Sequence, residues 1–275
     1  DIIFRIGVRA DMYDINTKVM KDQYSLYEIM SAKEFYDANP GQSRPGAVED
    51  DYKVYVTQKG SNSVRAFRKG ESWYFPNGTR ANDGNFIFGG QIVTPKYKNA
   101  INDIRDPNFD PNTSFEDYKR QINLMPRLAF SFPISEDANF FAHYDILVQR
   151  PTSNTLFTAL NYYYFEDPAI RPGQVNNPNL KPEKTIDYEV GFQQKLTNAT
   201  ALKLSAYYKE MRNMIQNRTL LYIPAPVSSY DTYDNIDFGT VKGFSVGYDY
   251  RRTGNLMLNA NYTLQFADGT GSDAN

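Results

Sequence analysis

Residues 1–13 are Asp-Ile-Ile-Phe-Arg-Ile-Gly-Val-Arg-Ala-Asp-Met-Tyr. Every second side chain from residue 2 to residue 12 is apolar, whereas Arg5, Arg9 and Asp11 occupy positions between them. Successive side chains of a β-strand point to opposite faces of the sheet. This period of two therefore predicts a strand with one apolar face and one charged face.

The same period returns six times after residue 120. The stretches that carry it are 124–132, 140–148, 186–192, 202–208, 244–250 and 256–266. Several of the seven predicted strands are longer than the about 5–6 residues of an ordinary globular strand. Tyr and Phe side chains cluster near the strand ends, as in the aromatic girdles of a membrane barrel.

The connections between the predicted strands alternate between short and long. Residues 134–139, 197–201 and 252–255 are polar turns, whereas 15–121, 151–183 and 216–237 are long connections. If the strands run up and down, all short turns lie at one end and all long loops at the other. This predicts an all-β fold, an antiparallel transmembrane barrel segment with periplasmic turns and long extracellular loops. A soluble all-β domain is the structural alternative.

The longest connection, 15–121, has signals for secondary structure of its own. Ser31 and Glu34 match a capping box, which predicts a short helix over 31–38. Residues 51–57, 64–68 and 85–93 are predicted to form short strands or hairpins. We therefore expect one large extracellular loop insertion within a single barrel domain that covers residues 1–275.

The composition excludes several other classes of protein. No stretch approaches the roughly 18–20 continuous apolar residues of a membrane-spanning helix. The net charge of -2 without a basic block argues against nucleic-acid binding. The absence of Cys removes disulfide and thiolate metal sites, and the single His argues against a His-based zinc site and a His-dependent triad. We predict no catalytic residue, no cofactor and no metal site.

Residues 177–183, Asn-Pro-Asn-Leu-Lys-Pro-Glu, supply a motif. The motif resembles the stretch that enters a late barrel strand in TonB-dependent outer-membrane receptors. The long-looped SusC-type and Oar-like receptors of Bacteroidetes are the most similar group. Prolines at a strand entry stiffen the chain where no ladder hydrogen bond is needed. We interpret the motif as a structural anchor without a ligand role, formed by Asn177, Pro178, Leu180, Lys181, Pro182 and Glu183.

The resemblance implies a barrel of about 22 strands that encloses an N-terminal plug. Seven antiparallel strands cannot close a barrel, because the first and the last would meet in parallel. We therefore expect this chain to be a partial segment of a larger receptor, without its plug domain. The implied location is the outer membrane of a Gram-negative bacterium, with the barrel in contact with its lipids.

The resemblance also implies a function and partners. A TonB-dependent receptor takes up a solute with energy that the TonB complex delivers, and SusC-type importers pair with a surface lipoprotein. Glycan, peptide, siderophore and vitamin all remain open as the solute. The alternative is a receptor-like barrel that acts as an anchor, an adhesin or a secretion component through its loops. An outer-membrane enzyme has little support, because no nucleophile, base and orienting group can be assembled.

Two groups of side chains are candidates for solute contact. The first is an aromatic and basic cluster in the long connection, for which packing within the loop's own small core is favoured over contact with a sugar or a peptide: Arg68, Lys69, Trp73, Tyr74 and Phe75. The second is a set of charged residues on the lumen-facing side of the strands, which includes Arg5, Arg9, Asp187 and Glu189. Salt-bridge ladders between neighbouring strands are the alternative role for the second set.

Residues 106–117 superficially match a calcium-binding loop. Pro111 occupies the position where such a loop needs Gly for its sharp turn, and the twelfth position is Asp. The two prolines instead predict a rigid polar turn.

Overall fold

The main element of the computed structural model is a seven-stranded antiparallel sheet. The structure describes residues 2–99, 101–151, 159–167, 169 and 174–270. Neighbouring strands in this sheet are hydrogen-bonded in the order β1 (Ile3–Tyr13), β8 (Gln121–Pro133), β9 (Ala138–Gln149), β10 (Glu183–Lys195), β11 (Thr200–Leu221), β12 (Ser229–Thr253) and β13 (Leu256–Gly269). The seven predicted strands and the predicted all-β antiparallel class are thus confirmed. The sheet is open, and β1 and β13 are its edge strands.

The register brings the apolar residues of all seven strands onto one face. One row across the sheet consists of Phe4, Phe130, Ala142, Val190, Ala206, Phe244 and Leu264. The adjacent row on the opposite face consists of Arg5, Ala129, His143, Glu189, Tyr207, Gly243 and Gln265. A slip of one residue in any pair would exchange the two faces of that strand, so the alternation fixes the register.

The short connections 134–137, 196–199 and 254–255 lie at one end of the sheet, and 14–120, 150–182 and 222–228 lie at the other. The predicted long loop over 216–237 is wrong. β11 and β12 continue as a hairpin, so that they have 22 and 25 residues. A register shift in β11 near Asn213, whose φ is 58°, separates the hairpin's outer part from the rest of the sheet. We call residues 214–237 the long hairpin.

Residues 14–120, the lobe, form a small structure between β1 and β8. A four-stranded sheet has the order β5 (Ser72–Tyr74), β4 (Val64–Lys69), β3 (Lys53–Val56) and β6 (Thr94–Pro95). At the base of the lobe, β2 (Lys18–Met20) pairs with β7 (Phe115–Asp117). The helices are α1 (Ala32–Ala38), α2 (Asn85–Phe88) and α3 (Pro111–Ser114), and α4 (Ala159–Tyr164) belongs to the connection between β9 and β10.

The capping-box helix is confirmed. The Ser31 hydroxyl accepts the Glu34 N–H at 3.2 Å, and the Glu34 carboxylate accepts the Ser31 N–H at 2.9 Å. Two of the three short strands predicted for the lobe are also confirmed, as β3 and β4. The third, 85–93, is wrong because α2 occupies its first half, where the Asp83 carboxylate accepts the Asn85 N–H.

The turn predicted over 106–117 contains α3. Pro111 is the first residue of this helix, where its missing N–H costs no hydrogen bond. The carboxylate of Asp110 accepts the Asn112 N–H at 3.0 Å and caps the helix.

Two hydrophobic clusters hold the lobe together. The smaller cluster joins α1 to one face of the four-stranded sheet through Phe35, Val54, Val56 and Phe67. The larger cluster unites all three long connections, because Trp73 and Ile87 of the lobe share it with Phe165 and with residues of the long hairpin: Leu220, Ile223 and Tyr230. No helix in the described part of the chain is long and apolar enough to cross a membrane.

Candidate functional site

The five residues of the predicted aromatic and basic cluster do not share one surface. Arg68 pairs with Trp73 across β4 and β5, and Tyr74 pairs with Phe67. Since neighbours along a strand point to opposite faces, this register separates Arg68 and Trp73 from Tyr74. Trp73 is buried in the larger cluster, whereas Tyr74 packs against the smaller one, and Phe75 packs against the larger one. Lys69 retains 40% of its side-chain exposure.

Arg68 is a buried cation whose three guanidinium nitrogens each have a hydrogen-bond partner. Its Nε donates to the Tyr55 hydroxyl at 3.1 Å, and its Nη1 donates to the Gly70 carbonyl at 2.7 Å. Its Nη2 pairs with the Asp22 carboxylate, and the guanidinium lies 4.4 Å from the centroid of the Tyr24 ring. Burial opposes the charged form, but Tyr55 and Asp22 outweigh it and hold the pKa of Arg68 above its ordinary value. The structure places Arg68 inside the lobe, and its contact with a solute stays a prediction.

Trp73 is the centre of an aromatic group that joins the lobe to the long hairpin. Its ring centroid lies 4.7 Å from that of Phe88 and 4.9 Å from that of Tyr55. Tyr222, at the end of the hairpin, stacks on Phe88 with a centroid distance of 5.0 Å and an interplanar angle of 24°. Edge-to-face and offset contacts at these distances are favourable for aromatic rings.

Two polar clefts open beside these residues. The first, which we call the lobe cleft, has a volume of 280 Å³ and is lined by residues that include Lys21, Asp22, Glu28, Asp51, Lys53 and Arg68. The second, the junction cleft, has a volume of 400 Å³ and lies between the lobe and the long hairpin. Its lining includes Glu71, Trp73, Arg80, Asn82, Arg218 and Tyr222. Concave sites with a few convergent polar groups are the usual places for ligands.

An ion-pair network connects the lobe to the long hairpin at one side of the junction cleft. Arg218 of the hairpin donates from Nη1 to Glu71 of the lobe at 2.8 Å and to Asp234 at 2.7 Å. These two carboxylates raise the pKa of Arg218 above its ordinary value, with Glu71 the larger influence. Glu71 and Arg218 are 147 residues apart in the chain.

The charged face of the large sheet carries the second set of candidates. Asp187 pairs with Lys209 at 3.0 Å, and on its other side it lies opposite Asp145. Asp145 in turn lies opposite Arg127, so the row has the charge order plus, minus, minus, plus. Asp187 and Lys209 therefore form a cross-strand ladder of the kind expected from the sequence. Solute contact stays a prediction for this row.

The other three charged candidates have different surroundings. Glu189 lies opposite His143, with its Oε2 3.6 Å from Nδ1. Arg9 donates twice to Asp11 of its own strand, at 2.8 and 2.9 Å. Arg5 forms no hydrogen bond or ion pair with another residue among those that the structure describes.

The motif of residues 177–183 lies against the long hairpin. Asn177 donates to the carbonyl of Tyr233 at 2.9 Å, and the Glu183 carboxylate accepts the Ile215 N–H at 3.1 Å. The Leu180 carbonyl accepts a hydrogen bond from Gln121 of β8 at 3.1 Å. Leu180 is 1% exposed, and both prolines of the motif are buried. These contacts join the connection between β9 and β10 to strands on both sides of it.

The sequence carries no local signal for a role of Lys53, Arg218 or Tyr222. Their partners lie far along the chain, and a single lysine, arginine or tyrosine in a polar segment gives no pattern. No group of three or more His, Asp or Glu side chains in the described ranges is arranged to hold a metal ion.

Residues 102–275 match the family model described as TonB dependent receptor-like, beta-barrel. The match covers more than half of the chain and includes six of the seven strands of the large sheet. No curated protein sequence matches the chain.

Solved structures of low sequence identity are similar to the chain. They include the hemophore receptor HasR of Serratia marcescens, as a double mutant in complex with its hemophore HasA and heme, with 19% identity over 56% of this chain and a TM-score of 0.40. The ferric-catecholate import receptor Fiu of E. coli K12 has 16% identity over 58% and a TM-score of 0.40. The pyoverdine outer membrane receptor FpvA of Pseudomonas aeruginosa PAO1, bound to pyoverdine, has 15% identity over 58% and a TM-score of 0.41. The chain spans 25%, 20% and 21% of these three chains, respectively.

Proposed function

Since the chain belongs to the TonB-dependent receptor-like β-barrel family, we propose that it is one segment of an outer-membrane barrel that takes up a solute with energy delivered by TonB. The observation that carries this proposal is the unbroken apolar row from Phe4 on β1 to Leu264 on β13. An apolar face of this breadth suits contact with lipid, and the charged opposite face suits a hydrated lumen.

The lengths of β11 and β12 support the proposed orientation. A strand of about 9–11 residues crosses a bilayer, whereas these strands have 22 and 25 residues. Their outer part would therefore stand in water, on the side where the lobe lies. Because outer-membrane barrels have their long loops outside the cell, we propose that the lobe and the long hairpin are extracellular.

The edge strands support the proposal that the barrel continues beyond these seven strands. β1 and β13 each pair on one side, and open edges are not tolerated in lipid. The receptor would complete the barrel of about 22 strands that the family resemblance implies, with a plug inside it. The domain assignment, one barrel domain with the lobe inserted over 15–121, is part of this proposal.

The solute remains a choice among glycan, peptide, siderophore and vitamin. The narrower likeness to SusC-type and Oar-like receptors carries a second expectation, a surface lipoprotein that binds the extracellular side. Recovery of a lipoprotein with the receptor from mildly solubilised membranes would support the SusC-type assignment. Recovery of the receptor alone would count against it.

Uptake is tested in the native bacterium by comparing three strains: wild type, a deletion of the receptor gene and a deletion of TonB. Each strain is grown on a defined mixture of glycans, peptides, siderophores and vitamins, and mass spectrometry follows the loss of each compound from the medium. We expect one compound to persist in both deletion strains. Unchanged depletion in the receptor deletion would overturn active uptake.

The alternative, a barrel that serves as an anchor, adhesin or secretion component, has one observation in its favour. Phe86 and Ile92 of the lobe are 61% and 73% exposed, as apolar contact residues for another protein would be. A protein partner that is lost from the receptor in the Phe86→Ser and Ile92→Ser variants, together with unchanged depletion of every solute, would favour this alternative.

A further inference from the structure

Two cations face each other in the lobe cleft. Lys53 of β3 lies directly opposite Arg68 of β4 in the antiparallel register. Like charges at directly opposed positions destabilise a sheet unless an anion compensates them. The Asp22 carboxylate pairs with Arg68. Lys53 donates only to the Ile29 carbonyl, at 3.3 Å, and forms no ion pair among the described residues.

The lobe cleft contains a second lysine whose positive charge no carboxylate compensates among the described residues. Lys21 donates from Nζ to the Asn112 carbonyl at 2.6 Å and also forms no ion pair within the described ranges. Each carboxylate that lines the cleft already has a cationic partner. Asp22 pairs with Arg68, Glu28 with Lys98 at 3.4 Å and Asp51 with Lys69 at 3.4 Å. Lys21 and Lys53 are therefore the cations of the cleft that have no carboxylate partner among the described residues.

A buried hydroxyl adds a further group without a partner. Ser114, at the end of α3, lines the cleft and is 3% exposed. Its Oγ has no hydrogen-bond partner. A buried hydroxyl without a partner carries a desolvation cost, which makes such positions uncommon in stable cores. Ser114 lies two residues after Asn112, whose carbonyl accepts a hydrogen bond from Lys21, so the hydroxyl and one ammonium belong to neighbouring parts of the cleft wall.

We propose that the lobe cleft is an anion subsite, in which Lys53 and Lys21 bind one carboxylate group of the solute. The inference rests on the proposed function, because it names the chemistry of the solute that is taken up. An ammonium is a compact charge that binds a carboxylate oxygen strongly when both are partly removed from water. The anion would also compensate the charge of Lys53, because Asp22 already pairs with Arg68.

The volume of the cleft limits what enters it. Pockets that enclose a whole drug-sized ligand have about 300–1,000 Å³, and the lobe cleft has 280 Å³. It therefore accepts one terminal acidic unit, whereas the rest of the solute extends outward. A uronic acid at the end of a glycan and the carboxyl terminus of a peptide present the same carboxylate chemistry.

The test measures equilibrium binding to the purified full-length receptor in detergent by calorimetry. Glucuronate is compared with glucose, and N-acetylalanine is compared with its amide, so that each pair differs mainly in the carboxylate. Inorganic phosphate is the third probe. We expect at least one carboxylate to bind about tenfold more tightly than its neutral counterpart, as a charge-assisted hydrogen bond provides. Affinity should also fall as the salt concentration rises.

Two variants make the test specific. Lys53→Gln removes the charge at the proposed subsite, and Lys59→Gln removes a charge from an exposed turn of the same lobe. Lys53→Gln should weaken carboxylate binding about tenfold, and Lys59→Gln should leave it unchanged. Without ligand, Lys53→Gln should unfold at the same or a higher temperature, because it relieves the repulsion with Arg68. A lysine with only a structural role would instead lower the unfolding temperature.

The outcomes separate this proposal from the uptake function. Equal binding of charged and neutral probes, or equal binding by both lysine variants, would overturn the anion subsite while leaving TonB-dependent uptake untouched. Binding of phosphate without either carboxylate would overturn the carboxylate assignment. Selective carboxylate binding in a receptor whose deletion changes no solute depletion would support the subsite and overturn the uptake function.

Discussion

Asn235 on β12 binds both backbone hydrogen-bonding groups of Lys181. Its Oδ1 accepts the Lys181 N–H at 2.7 Å, and its Nδ2 donates to the Lys181 carbonyl at 2.9 Å. The same Nδ2 donates to the carbonyl of Asn213 at 2.7 Å, at the register shift of β11. One side chain thus provides the pairing that a neighbouring strand would provide, at a place where the chain has no strand.

Replacement of Asn235 by Ala should destabilise the region around the motif. The substitution leaves the Lys181 N–H and two carbonyl groups without their partner, and each unmade bond costs about 1 kcal/mol or more where water cannot replace it. Hydrogen exchange of the purified receptor should become faster over residues 174–182 and 211–216. Asn82→Ala, at an exposed position, is the control and should leave exchange unchanged. Equal exchange in the Asn235→Ala variant and the wild type would contradict the role assigned to this side chain.

Arg218→Leu should loosen the contact between the lobe and the long hairpin. The variant loses the charge-assisted hydrogen bonds to Glu71 and Asp234, and we expect a loss of about 1 kcal/mol in the free energy of unfolding. Limited proteolysis should cut the lobe faster than in the wild type. Arg44→Leu removes an ion pair inside the lobe, with Asp50, and serves as the matched control. Similar cleavage rates in the two variants would show that the junction does not depend on Arg218.

Gly84→Ala tests the docking of Tyr222 without a change of charge. A Cβ at position 84 would lie within 3.0 Å of the Tyr222 ring, so the ring must leave its place on Phe88. The aromatic contacts that are lost contribute about 0.5–1.5 kcal/mol per pair. Gly46→Ala is the control, because a Cβ there meets no atom within 4 Å. We expect lower thermal stability only for Gly84→Ala, and equal midpoints for the two variants would disprove the close contact.

Alkaline pH should destabilise the lobe through its buried tyrosines. Burial raises the pKa of Tyr97 to about 12, and it raises the pKa of Tyr55 as well. An unfolded tyrosine ionises near about pH 10. The folded protein holds these protons more tightly, so the stabilisation is complete below pH 10 and decreases as the pH rises toward 12.

The check is a titration of tyrosinate absorbance in the folded receptor. Tyr97→Phe should reduce the absorbance change near pH 12, because Tyr97 and Tyr52 both have a pKa raised to about 12. Tyr163→Phe removes a tyrosine that is 38% exposed and serves as the control. Superposition of the Tyr97→Phe and wild-type curves over the whole range would contradict the burial of Tyr97.

The parts of the fold with a regular local pattern were predictable from the sequence. Each of the seven strands has an apolar face and a polar face along the large sheet, so the period of two is undisturbed. The capping box at Ser31 and Glu34 is similarly local, because both hydrogen bonds join residues three apart.

The long hairpin had no such pattern, because its outer part packs against the lobe through Leu220 and Tyr230 and elsewhere contacts water. The short apolar run at 85–93 did not distinguish a strand from a helical turn. The sequence alone did not identify the compensating partner of Arg68, because Asp22 is 46 residues away. Sequence patterns predicted which side chains alternate, and long-range pairing decided which charges are buried.

The lobe begins and ends on neighbouring strands. β1 pairs with β8 along its whole length, and β2 pairs with β7 where the chain enters and leaves the lobe. The two ends of this insertion are therefore side by side, so closing the loop costs little more entropy for a long insertion than for a short one. The pairing of β1 with β8 involves no residue of the lobe. The length of the insertion can therefore vary without altering the strand register below it.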